Sequence, residues 1–188
     1  MVRKILFSIL LVTVSSCSNI ISSVRSTPIE DDPHTRSLGT KIDDNIIETK
    51  ARVNLSETSK LFDQSHITVI AYNGVVLLVG QVPSQEIMQQ AADALRPIVK
   101  IRSVHNELTA EPNTSIFART KDSWITSDLN TRLAFAEGVT SSHVKVVTEN
   151  SVIYLMGLVT ESEANTVTDT ATQISGVDRV VKIFEYIN

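Results

Sequence analysis

Asn73-Gly74-Val75-Val76-Leu77-Leu78-Val79-Gly80 returns later in the chain as Asn150-Ser151-Val152-Ile153-Tyr154-Leu155-Met156-Gly157. The stretch just before it, His66-Ile67-Thr68-Val69, returns as His143-Val144-Lys145-Val146. Both glycines and both histidines are 77 residues apart. That period is too long for a solenoid unit and fits a small domain that has been duplicated. Each copy contains two apolar runs joined by a turn. Asn73-Gly74 is the two-residue type I′ signal, because both residues accept positive φ.

Working outward, each copy reads helix, strand, strand, helix, strand. In the first, Asp43 or Asp44 can cap a helix whose Ile47, Ala51 and Leu55 recur every fourth position. Ile67 to Ala71 and Val75 to Gly80 make the hairpin. Pro83 and Ser84 open a helix with Ile87, Ala91, Ala94 and Leu95 inward, Pro97 closes it, and a strand lies within Ile98 to Leu108. In the second, Asp122 caps a helix with Ile125, Leu129 and Leu133 inward. Val144 to Val147 and Val152 to Met156 form the hairpin. Thr160 and Glu163 form a capping box, and Ala164, Val167, Ala171 and Ile174 line the next helix. Gly176 ends that helix and Val177 to Ile187 holds the last strand. The strand-helix-strand crossover makes the sheet mixed, with the helices on one face. The expected class is α+β: two tandem αββαβ domains, each a three-stranded mixed sheet packed on two helices. A unit of roughly 65 residues is marginal alone, so the two should pack together or share the linker between them.

The amino end reads differently. Residues 1–16 look like a signal peptide, with Arg3 and Lys4 ahead of an apolar core from Ile5 to Val14 that is too short to span a bilayer. Val14-Ser15-Ser16-Cys17 resembles a bacterial lipobox, in which Cys17 is acylated and becomes the first mature residue. Cys17 is the only cysteine, which excludes an intrachain disulfide. By resemblance to bacterial lipoprotein sorting, Ser18 in place of aspartate implies export to the outer membrane. Residues 17–35 then form the lipidated cysteine and a polar tether. The expected domains are 36–109 and 122–188, with 110–121 as linker.

Without Arg3 and Lys4 the mature chain keeps 15 of its 17 Lys and Arg against 21 Asp and Glu, a net charge of −6. That argues against nucleic acid and against indiscriminate adhesion to anionic lipid. No Ser-His-Asp set, phosphate-binding glycine loop or nucleophile elbow is found, so no enzyme, cofactor or metal is expected. His66 and His143 read as polar residues at the strand starts. Asp31-Asp32-Pro33-His34 sits in the tether and reads as solvated.

The hairpin strings, with Gly74, Gly80, Gly157 and Gly176 as their glycines, resemble the BON domain. Two such domains behind a lipobox resemble the dual-BON outer-membrane lipoproteins of the DolP type. Further strings agree: Arg36 to Asp44, Trp124-Ile125-Thr126, and Leu155 to Glu161. The resemblance covers essentially the whole mature chain. It implies a non-enzymatic protein on the periplasmic face of the outer membrane that binds anionic phospholipid (phosphatidylglycerol, cardiolipin), gathers at division sites and supports outer-membrane integrity. It implies lipid contact through the first helix of the second domain, here Trp124, Ile125, Ser127, Asp128, Leu129, Arg132 and Leu133. Trp124 lies about 100° round the helix from the inward stripe, as an interfacial ring would; packing against its own sheet or the other domain is the competing reading. The family carries basic residues after the Trp-Ile-Thr string, whereas this chain has Asp128 and Asn130. The alternative function is therefore a protein-interaction module that docks on an envelope-assembly or cell-wall-remodelling partner with little lipid specificity.

Overall fold

The computed structural model describes residues 34–187. The expected signal peptide, Cys17 and most of the expected tether lie outside the described residues.

The first repeat comprises α1 (Leu38–Thr58), a one-turn α2 (Lys60–Asp63), β1 (His66–Tyr72), β2 (Val75–Val82), α3 (Gln85–Leu95) and β3 (Ser103–Ala110). The second comprises α4 (Ile116–Ala134), a 3-10 turn (Ser141–His143), β4 (Val144–Glu149), β5 (Val152–Val159), α5 (Glu161–Thr172) and β6 (Arg179–Tyr186). Each repeat is the expected αββαβ unit, and α2 is an addition to the first. In both sheets the middle strand pairs antiparallel with its hairpin partner and parallel with the strand that follows the crossover helix.

The hairpin turn is as read. Asn73 and Gly74 have φ of 51° and 75°, and Asn150 and Ser151 repeat the conformation at 48° and 64°. Gly80 and Gly157 serve a different need. A Cβ on Gly80 would lie 1.9 Å from the His66 carbonyl oxygen, and one on Gly157 would lie 2.6 Å from that of His143. Both glycines let the partner strand's backbone come close. Gly176, with φ of 85°, sits in the turn between α5 and β6; α5 itself stops at Thr172.

The two helix starts correct the sequence reading. α1 is capped by Ser37, whose hydroxyl accepts from Thr40 N–H at 3.0 Å, and α4 by Ser115, which accepts from Ala118 N–H at 3.2 Å. Asp44 and Asp122 are instead buried inside their helices. Asp44 accepts from the N–H groups of Asn73 and Gly74 at 2.9 and 2.8 Å. Asp122 accepts from those of Asn150 and Ser151, both at 2.8 Å. An aspartate in mid-helix thus holds each hairpin turn by two N–H groups. The capping box of Thr160 and Glu163 is present as expected.

Each repeat buries its helices on one face of its sheet. Ile47, Ala51 and Leu55 of α1 and Ile87, Ala91 and Leu95 of α3 meet Val76 and Leu78. Ile125, Leu129 and Leu133 of α4 meet Ala164, Val167 and Ala171 of α5 over Ile153 and Leu155. The opposite sheet faces cover one another. Leu77 and Val79, with Tyr72 and Val75, join Tyr154, Met156 and Ile183 in a third core. Every residue of β2 is therefore buried. Its run Val75 to Val79 does not alternate because it has no solvent side.

Polar contacts ring this core. Tyr72 Oη donates to the His143 carbonyl at 2.8 Å, and Asn73 Nδ2 to Glu185 at 2.9 Å. The buried Gln81 donates to Glu149 at 2.8 Å and accepts from Thr114 N–H at 3.0 Å, so both ends of its amide are satisfied. Burial between the sheets, with Glu107 adding to it, pushes the Tyr154 phenol up to about 12.

Two outcomes follow from this arrangement. Asp122→Ala orphans two turn N–H groups and should destabilise the fold by about 2–4 kcal/mol, with Asp122→Asn costing less; urea unfolding followed by circular dichroism measures both. The Tyr154 phenol ionises in the unfolded chain near its ordinary 10.0 but in the folded chain only near 12. Its contribution is complete below pH 10 and is lost as pH rises towards 12, at up to about 1.4 kcal/mol per pH unit. Tyr154→Phe should flatten the alkaline limb of the stability profile.

A candidate membrane-facing site on helix α4

α4 has two opposed faces. Ile125, Leu129 and Leu133 are fully buried against β5 and α5, and Asp122 joins them to hold its turn. On the far side Trp124 is 58% exposed. Phe117 and Phe135, at either end of the helix, are 87% and 85% exposed. At about 100° per residue the three rings fall within about 20° of one another. They form one stripe turned away from the core, and Ile116, also exposed, lies about 100° round from Phe117.

The residues assigned to lipid contact by resemblance therefore separate. Trp124, Ser127 and Arg132 are exposed, and Asp128 is half-buried. Ile125, Leu129 and Leu133 correct that assignment: their side chains are consumed by the domain core, and the same four-residue spacing that marks them as inward keeps them from a membrane. Arg132 is not an independent cation, since its Nε and Nη2 both donate to Asp128 at 3.1 Å. Lys121 donates to Ser151 Oγ at 2.8 Å. The exposed face of α4 is thus aromatic first and basic only weakly.

Phe117 and Phe135 escaped the sequence reading because it placed residues 110–121 in a linker and carried the helix only to Leu133. α4 instead begins at Ile116, inside that segment, and Phe135 is its C-cap residue. The spacings of seven and eleven around Trp124 were the available signal. In the first repeat the matching position, Ile46, is also exposed but is not flanked by aromatic rings.

The histidines take separate partners. His66 Nε2 lies 3.4 Å from Glu149, whereas the His143 ring stacks on His34, which is 3.4 Å from Glu163. Asp31 and Asp32 lie outside the described residues. No helix among the described residues is long and apolar enough to cross a membrane.

The BON domain family matches residues 43–112 and 121–188, one match per repeat. The chain belongs to the BON-domain family. Among curated BON relatives it is 35% identical over 153 residues to the outer membrane lipoprotein DolP of Haemophilus influenzae, covering 81% of this chain and 79% of that protein. It is 32% identical over 152 residues to a 21 kDa hemolysin of Actinobacillus pleuropneumoniae, covering 81% and 78%. Both relatives are named as a lipoprotein or a hemolysin rather than as enzymes. Among solved structures, the C-terminal domain of CdsD, a structural protein of the type III secretion system of Chlamydia trachomatis, aligns with 77% of this chain and 67% of its own, at 17% identity and a TM-score of 0.31.

The two faces of α4 predict opposite behaviour on truncation. Leu129→Ala removes a fully buried side chain and should cost about 2–5 kcal/mol. Trp124→Ala should change stability by less than about 1 kcal/mol. Thermal unfolding of both variants separates the face that holds the fold from the face that is free for a partner.

Proposed function

We propose that this chain is a lipid-anchored, non-enzymatic protein of the periplasmic face of the outer membrane. It rests α4 on phospholipid, preferring anionic headgroups, and supports outer-membrane integrity at division sites. The single observation that carries the reading is the stripe of Phe117, Trp124 and Phe135 on the exposed face of α4. Aromatic rings are favoured at the level of lipid headgroups, where tryptophan keeps its N–H wet and its ring dry. The lipobox-like Val14 to Cys17 supports the anchor, and the name of the Haemophilus relative supports the membrane.

The acyl anchor and the helix do different work. Two or more chains hold a protein on a membrane stably, so the helix does not decide attachment. It decides which surface of the two repeats faces the lipid. With Arg132 tied to Asp128, the apolar contribution of the rings outweighs the attraction to anionic headgroups, each free cation being worth only about 1 kcal/mol.

Trp124 is the only tryptophan and reports on its own surroundings. Residues 18–188 mixed with phosphatidylethanolamine vesicles should show a blue shift in emission. Adding phosphatidylglycerol or cardiolipin should strengthen binding by less than about tenfold. Phe117→Ala or Phe135→Ala should each weaken vesicle binding about tenfold, equivalent to about 1.4 kcal/mol. Absence of any shift or co-sedimentation would overturn the lipid reading and assign the stripe to an envelope protein.

A further inference from the structure

His34, His143 and Glu163 come from three distant parts of the chain and converge on one spot. His34 lies on the irregular stretch ahead of α1, His143 closes the 3-10 turn before β4, and Glu163 is in the first turn of α5. One ligand atom from each can be chosen so that all lie within 4.8 Å of one another. The His34 and His143 rings stack with centroids 5.2 Å apart, and both Nδ1 atoms are buried. His34 Nδ1 is 3.4 Å from Glu163 Oε2.

We infer that His34, His143 and Glu163 form a binding site for a divalent transition-metal ion of the zinc type. Two ligand atoms bound to one tetrahedral zinc, each at about 2.0–2.1 Å, lie about 3.4 Å apart. The His34–Glu163 pair already has that separation, and the His143 ring closes the set by turning out of its stack on His34, because a metal lies in the plane of each imidazole that binds it. Two imidazole nitrogens and one carboxylate are the donors of open zinc sites, which leave the fourth position to water. Imidazole also selects zinc, cobalt and nickel over calcium and magnesium.

The surroundings hold the donors in place. Thr160 N–H and Oγ1 donate to Glu163 Oε2 at 2.8 and 3.0 Å, which fixes the carboxylate. Tyr72 Oη donates to the His143 carbonyl, which ties that backbone to the first repeat. Against the ion stands the amino end of α5, whose dipole disfavours a cation. That opposition weakens the site by about two- to fivefold. A bound ion would staple the segment ahead of α1 to the second repeat. This site is separate from the aromatic face of α4, so either can fail without the other.

The test is zinc titration of the full chain, purified in detergent, by calorimetry, with cobalt as a spectroscopic stand-in. One equivalent of zinc should bind and raise the melting temperature. Cobalt should give tetrahedral or five-coordinate visible bands without the charge-transfer band of a thiolate. His34→Gln and His143→Gln should each weaken binding by about tenfold or more. Glu163→Gln, which still serves the capping box, should weaken it as well and so separate the ligand from the cap. The two remaining histidines are controls: His66→Gln and His105→Gln should leave binding unchanged. His34→Gln touches neither repeat's core and guards against misfolding as the explanation. The assignment is overturned if no saturable binding occurs, if binding survives His34→Gln and His143→Gln, or if it depends on His66 or His105.

Discussion

The apolar closure of one sheet over the other is the interaction on which the molecule depends. A three-stranded sheet with two helices on one face leaves its second face bare. Leu77, Val79, Tyr154 and Met156 are the residues that would be bare, and each lies fully inside because the other repeat covers it. Duplication supplies the cover from the same kind of unit, much as a two-fold dimer pairs a patch with its own copy. The hydrogen bonds of Tyr72, Gln81 and Asn73 then fasten the rim. Because the sheets are turned towards each other, the helices are turned outward. The free face of α4 follows from that.

What could be read in the sequence was local. The hairpins, the Asn73-Gly74 turn, the Thr160 capping box and the inward residues of all four long helices depend on neighbours a few residues away. The misreadings share a cause as well. An aspartate just ahead of an apolar periodic run has the same signature whether it caps the helix or reaches a turn some thirty residues on. Asp44 and Asp122 do the second. The packing of the repeats was signalled by Val75 to Val79, whose lack of alternation means a strand with both faces covered, but a single strand does not say what covers it. His34, His143 and Glu163 carry no local sign at all, since only the closed fold brings them together.

The aromatic face was half legible. Trp124 stands out as a lone tryptophan just off the inward stripe. Phe117 and Phe135 fell in stretches assigned to linker and loop, where a ring has no face to belong to. Ile125, Leu129 and Leu133 show the limit of resemblance. Periodicity made them core while family likeness made them lipid contacts, and one side chain cannot fill both roles. Burial decides for the core.

The length of the aromatic stripe has a mechanical consequence. Phe117 and Phe135 are eighteen residues apart, about 27 Å along the helix axis. A lipid anchor alone would be a swivel and would leave the body free to tumble beneath it. On a membrane, a contact of that length would act as a keel: it would resist yaw and pitch and leave only rolling about the helix axis. Since the two sheets are locked face to face, whatever heading α4 takes on a surface is passed undiminished to the first repeat on the other side.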